Sequence, residues 1–313
     1  MISARTTTGM VQRNVLSDLN NVYSKLAKTQ ARASSGKQIT RPSDDPFNAS
    51  RAMGLRQALD GNTQYQKNIQ DAQGWQDATE TALAGIGDFL KRARSLVVEG
   101  ASDTVDQSSR DSIAEEIDQI VNGVKETSNA QYAGSYLMSG TATDVAPYTQ
   151  GSDDTYKGND AGLNPALPGV LREIGPGVTM SINTVGVDFL GNGQPAAGGT
   201  ADDKVFNVLR DISAHLRAGD GASLRGTDMT RLDANLDDVL AARSRNGAQT
   251  NRLEAAMSRM QDLETAATKQ LSDTEDADFA QTMIDLNSQT AAYQAALKAG
   301  ASIVQSSLMD FLK

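Results

Sequence analysis

One uninterrupted pattern constrains the fold more than any other feature of the chain. From Met229 through Leu232, Leu236, Val239, Arg243, Asn246, Thr250, Leu253, Met257, Met260, Glu264 and Ala267 to Leu271, positions recur at alternating spacings of three and four. This is the 3.5-residue period of a coiled-coil seam, and it predicts a helix of roughly 65 Å at a rise of about 1.5 Å per residue. Such a helix leaves its stripe in water unless other helices lie along it, so the sequence predicts a bundle of long helices. An aromatic content of only 4% agrees, because long amphipathic helices bury aliphatic stripes and need few large rings.

The neighbouring helices are legible in the same way. A second seam runs through Ile69, Ala72, Gln76, Thr79, Leu83, Ile86, Leu90, Ala93 and Val97, and a third through Ile113, Ile117, Ile120, Val124, Thr127 and Gln131. Val205 to Leu216 reads as a short helix. Both ends of the chain carry seams as well: Val15, Leu19, Val22, Leu26, Thr29 and Ala33 at the start, and Phe279, Met283, Leu286, Thr290, Tyr293, Leu297, Gly300, Val304, Leu308 and Phe311 at the finish. Gly36 stops the first helix, and Asp45 before Pro46 reads as an N-cap followed by proline at the first helical position.

Glycine and proline mark one interruption. Eleven of the 27 glycines and five of the seven prolines lie between positions 147 and 199. Within that stretch Val178, Met180 and Ile182, and then Val185, Val187 and Phe189, alternate with smaller or more polar residues, which predicts half-buried strands. The expected fold is therefore mainly α, an elongated helical bundle or coiled-coil rod with paired terminal helices and a small β-rich insert. Its parts are terminal arms at 1–40 and 273–313, a rod at 41–141 and 201–272, and an outward insert at 142–200.

Charge and residue inventory exclude much else. A formal charge of −10 repels a nucleic-acid backbone, so no nucleic-acid partner is expected. The chain has no cysteine and a single histidine, His215, which removes thiolate chemistry, disulfides and every motif needing two imidazoles. No catalytic set, cofactor site or metal site is recognisable. No stretch approaches the roughly 20 apolar residues of a membrane span, and the first residues lack the apolar core of a secretory signal, so any export is expected to proceed without a cleaved leader.

Several features admit a functional and an ordinary reading. Gly191-Asn192-Gly193-Gln194-Pro195-Ala196 fits a dinucleotide-binding pattern, but Pro195 and Gly198-Gly199 follow where a helix should begin, favouring a loop. His215 and Trp75 read as packing or surface residues. Asp44 and Asp45 are better explained by turn formation and capping than by cation binding. Arg243, Asn246 and Glu264 interrupt the long seam, either as solvated edge positions or as polar register-setting contacts.

The two arms carry opposite charge, +4 over residues 1–33 and −4 over residues 273–313, and are expected to pair, antiparallel if the middle of the chain folds back like a hairpin. A pair of helices lacks the depth to bury both seams, and ordering a helix costs about 1 to 2 kcal/mol per residue. Two readings stand at this point: the arms order when other copies of the chain supply the missing walls, or they pack on their own central bundle.

Four segments carry a family resemblance. Ser34-Ser35-Gly36-Lys37-Gln38-Ile39-Thr40-Arg41-Pro42-Ser43-Asp44-Asp45-Pro46 resembles the linker after the first helix of the bacterial flagellin family. Gly134-Ser135-Tyr136-Leu137-Met138-Ser139-Gly140-Thr141 is similar to the family's entry into its variable insert, and Asn246-Gly247-Ala248-Gln249-Thr250-Asn251-Arg252-Leu253-Glu254 to its C-terminal core helix. The segment from Phe279-Ala280-Gln281 through Ala292-Tyr293-Gln294 to Leu308-Met309-Asp310-Phe311-Leu312 resembles its terminal helix. Prolines on both sides of Ser43-Asp44-Asp45 and the Ser139-Gly140-Thr141 turn favour the family's junction branch over filament flagellin. The resemblance implies a structural protein, with no enzymatic activity or cofactor, exported unfolded to the extracellular flagellum. Its implied partners are further copies of itself, a hook-side junction protein, flagellin, and an export chaperone at the C-terminal arm.

Overall fold

The computed structural model describes residues 8–151, 153–160, 169–193 and 202–311; within these, the side chains of residues 8, 9, 11, 12 and 302–311 lie outside the description. The sequence patterns become helices α1 (Thr8–Ser35), α2 (Pro46–Gly100), α3 (Gln107–Ser128), α5 (Val205–Ala218), α7 (Met229–Glu275) and α8 (Phe279–Phe311). Between α3 and α5 lie strands β1 (Gln131–Tyr132), β2 (Ser135–Tyr136), β3 (Leu171–Gly175) and β4 (Val178–Ser181), and one-turn helix α4 (Val187–Leu190). A short α6 (Gly221–Ser223) and a π-helical turn, Leu224–Asp228, lead into α7. The chain divides into two compact units: unit 1 is Met1–Gly61 with Leu263–Lys313, and unit 2 is Asn62–Asp262.

Unit 2 holds the hydrophobic core. On α2, Ile69, Leu83, Ile86, Leu90 and Val97 are fully buried, joined by Ile117, Val121 and Val124 of α3 and by Leu232, Val239 and Leu253 of α7. Two polar contacts record the pairing of α2 with α7: Asn62 Nδ2 donates to Met260 O at 2.7 Å, and Asn246 Nδ2 donates to Gln76 O at 3.1 Å. Asn62 and Gln76 are two heptads apart in one direction, Met260 and Asn246 two heptads apart in the other, so the helices run antiparallel in constant register. Asn246 is thus a buried register contact; Arg243 pairs with Glu80 at 2.5 Å, and Glu264 is exposed.

Two details depart from the sequence patterns. Gln131, placed in the third helical seam, belongs to a strand: α3 ends at Ser128, and Ala133 and Gly134 both take positive φ to close a two-residue hairpin pairing Gln131 with Tyr136. Val187 to Leu190, whose alternation predicts a strand, form a helical turn that buries the adjacent residues Phe189 and Leu190 together. Alternation over so few residues also fits one turn of helix, and tertiary burial decided between them. Val178 to Ser181 do form a strand, paired antiparallel with β3 and bulged between Glu173 and Gly175.

Within unit 2 the segment after β2 is fastened to α3 and α5 by a buried ion pair. Lys125 Nζ lies 2.6 Å from Asp154 Oδ1 and also donates to the carbonyls of Gly151 and Asp153, while Arg210 holds the other side of Asp154. Tyr148 stacks obliquely on Phe206 with ring centroids 4.6 Å apart and donates its hydroxyl to Gly191 O at 2.7 Å. Burial pushes its phenol well above the ordinary range.

Candidate assembly surface

Unit 1 is built on a different principle. Among its described residues, the only buried hydrophobic side chains are Ala49 and Ala52. Its helices are therefore long but almost coreless, and their apolar residues meet one another only at the edges.

α1 and α8 lie side by side. Gly300 sits where an added β-carbon would come within 3.3 Å of Val15, Tyr23 meets Tyr293 with ring centroids 5.8 Å apart, and Thr29 Oγ1 donates to Gln289 Oε1 at 2.8 Å. Rising numbers on α1 meet falling numbers on α8, so the pair is antiparallel, as expected of oppositely charged arms in a chain that folds back on itself. Gly300 allows the close approach because it carries no side chain.

The ends of these helices are fixed locally. Gly36, at φ +69°, ends α1 in the left-handed region where a side chain is strained. In the linker that follows, the Asp44 carboxylate accepts from Lys28 Nζ at 3.2 Å, Thr40 Oγ1 at 3.1 Å and the Arg41 amide at 3.1 Å. Asp45 caps α2 by accepting from the Asn48 amide at 3.0 Å, ahead of Pro46. The Lys28 hydrogen bond foremost holds the Asp44 carboxyl below its usual value, and the Asn48 amide does the same for Asp45. Asp278 accepts from the Gln281 amide at 3.1 Å and caps α8.

Val15, Leu19, Val22 and Leu26 of the N-terminal seam are all half-buried, facing α8. The C-terminal seam splits. Leu286 and Tyr293 are half-buried on the α1 side, but Phe279 is 66% exposed and Met283 and Leu297 are exposed as well. The side chains of Val304, Leu308 and Phe311 lie outside the described residues, although their backbone continues α8. The residues of α8 least open to water beside Leu286 and Tyr293 are Thr282, Asp285, Gln289, Ala296 and Gly300, small or polar. Much of the large apolar surface of α8 thus remains in water.

Sequence reading along a narrow stripe missed the residues beside it. Leu16 is 59% exposed on α1, Ile284 61% on α8, and Phe47 and Met53 are exposed on the first turns of α2. Adjacent apolar pairs, Val15-Leu16, Val22-Tyr23 and Met283-Ile284, were the available signal, since such pairs broaden a stripe into two faces. One face of each arm helix is used in pairing, and on the second Leu16 and Ile284 are exposed.

The remaining singled-out residues take ordinary roles. His215 Nδ1 is 2.7 Å from the buried Asp228 carboxylate, and Trp75 is buried edge-on to Tyr132. Gly191 and Gly193 lie in a loop, while Gln194 to Ala196 and Gly198-Gly199 fall outside the described residues. Among the described residues, no group of three or more His, Asp or Glu is placed to hold a metal ion, and no helix is long and apolar enough to cross a membrane.

Comparison with known proteins adds the context. Residues 7–143 match the family model of the bacterial flagellin N-terminal helical region. The chain is 26% identical to flagellar hook-associated protein 3 of Escherichia coli, over 99% of this chain and 100% of that protein. Similarity to a flagellin of Salmonella typhimurium is 35% identity, confined to 36% of this chain and 22% of the flagellin. The fold is shared with the crystal structure of Bacillus cereus FlgL, which superposes with a TM-score of 0.57 over 70% of this chain and 99% of that one at 23% identity.

Proposed function

We propose that the chain is a flagellin-like structural subunit of the bacterial flagellum that joins hook to filament and assembles through its terminal helices. The observation that carries the junction assignment is the extent of similarity: a hook-associated protein 3 aligns along its whole length, whereas flagellin aligns along about a third of this chain. Residues 1–40 and 273–313 act as the assembly arms, 41–141 and 201–272 as the rod, and 142–200 as the outer insert.

The assembly role of the arms rests on incomplete burial. A fully buried large apolar side chain contributes about 1.5 to 3 kcal/mol, and in unit 1 none of the described large apolar seam residues is buried. Further copies of the chain would cover Leu16, Met283, Ile284 and Leu297 and recover that stabilisation. The same exposed face of α8 suits an export chaperone before assembly. In this reading the subunit leaves the cell through the flagellar export channel and contacts a hook-side junction protein on one side and flagellin on the other.

Deletion of the gene tests the assignment. Cells should keep their hooks, lose their filaments and shed flagellin into the medium, with filaments restored by the intact gene. Normal filaments on the deleted strain would end the junction reading, and loss of filament without released flagellin would point to a filament flagellin.

A further inference from the structure

Among the described residues of unit 1 no large apolar side chain is fully buried, yet one carboxylate almost is: Glu275, the last residue of α7 and only 5% exposed. Its Oε1 lies 2.6 Å from Lys37 Nζ in the linker after α1, and its Oε2 accepts from Arg56 Nη2 on α2. The main chain is engaged at the same place. The Gln38 amide donates to Glu275 O at 2.7 Å, the Ala277 amide donates to Gly36 O at 2.9 Å, and Lys37 forms an antiparallel bridge with Asp276. Three stretches of chain, the exit from α1, the early part of α2 and the break between α7 and α8, meet on one side chain.

We propose that Glu275 is a positioning residue for assembly: it ties both linkers to α2 and so sets the direction in which the paired α1 and α8 leave their roots before a neighbouring copy arrives. The inference rests on the junction reading and deepens it. Identical subunits close a regular array only if each presents the same surface at the same angle. With no apolar core at the root to set that angle, a charged tie does so instead, supplying conformational specificity more than stability. The arrangement has a built-in asymmetry. Lys37 and Arg56 are about half exposed and turn to water when the carboxylate is removed, whereas removing both cations strands a buried charge.

Amide hydrogen exchange on the unassembled full-length chain reads the tie directly. In Glu275→Gln the Gln38 and Ala277 amides should exchange about tenfold faster, with the core of unit 2 unchanged. Lys37→Met combined with Arg56→Met should loosen the same amides further. In cells lacking the gene, Glu275→Gln should restore filaments several-fold less often than the unaltered chain, and the charge-reversed combination Glu275→Lys, Lys37→Glu and Arg56→Glu should recover them. Unchanged exchange in Glu275→Gln overturns the tie. Faster exchange with full filament recovery overturns the positioning role and leaves the junction reading intact. Failure of the unaltered chain to restore filaments overturns the junction reading, while the exchange result still judges the tie.

Discussion

Single residues matter in this protein according to which unit holds them. Leu83 is fully buried in unit 2, so Leu83→Ala should cost about 2 to 5 kcal/mol, read as a lower denaturation midpoint in urea. Asn246 shows why a polar residue can occupy a core position: its side-chain amide donates to the Gln76 carbonyl across the helix pair, a hydrogen bond that breaks if α7 slips along α2. At the linker, the sign of pH dependence follows from two depressed carboxyls. Asp44 and Asp45 titrate below their ordinary value of 3.8, so their hydrogen bonds contribute fully above that value and are lost as pH falls through the lower folded value. Exchange of the Asn48 amide should therefore be protected evenly from about pH 5 to about pH 8, after correction for intrinsic rate, and lose that protection under strong acid. Both groups are half-buried in the linker and outside the apolar core, so the effect is local fraying of α2 and not global unfolding.

At the scale of elements, the contrast lies between helices that find partners on every apolar face and helices that find one. α3 presents a single stripe and buries Ile113, Ile117, Ile120 and Val124 along it. α1 and α8 present two faces each and cover one. This separates stability from assembly in a testable way. Leu297 is already in water, so Leu297→Asp should leave the melting of the isolated chain unchanged and abolish incorporation into the flagellum, because the charge is penalised only when that face is buried. A large fall in melting temperature would mean that the face already has cover within the chain. The pairing of these helices was legible from the opposite charges and seams of the arms, and its antiparallel sense from a chain that folds back between them. Which half of the C-terminal seam would face α1 was not, because a 3.5-residue stripe marks apolar positions without saying which neighbour they meet.

For the whole molecule, the described large buried apolar side chains all fall in unit 2, and this division predicts how the chain comes apart. Limited proteolysis of the isolated chain should remove segments of unit 1 first and leave a resistant product close to residues 62–262, while assembled material should resist along its length. Equal resistance in both states would show that the arms need no neighbours. The sequence by itself determined the long helices, their breaks at Gly36 and Pro46, and the absence of thiol or paired-imidazole chemistry, because period, capping and composition are local properties. It also carried the family resemblance, in short motifs such as the linker around Asp44. Only the tertiary structure decided that Val187 to Leu190 form a helical turn, that Asn246 sets a register, that Phe279, Met283 and Leu297 of α8 are exposed, and that Glu275 gathers three stretches of chain. Each of those depends on partners far away in sequence, and no local pattern specifies which distant group a side chain will meet.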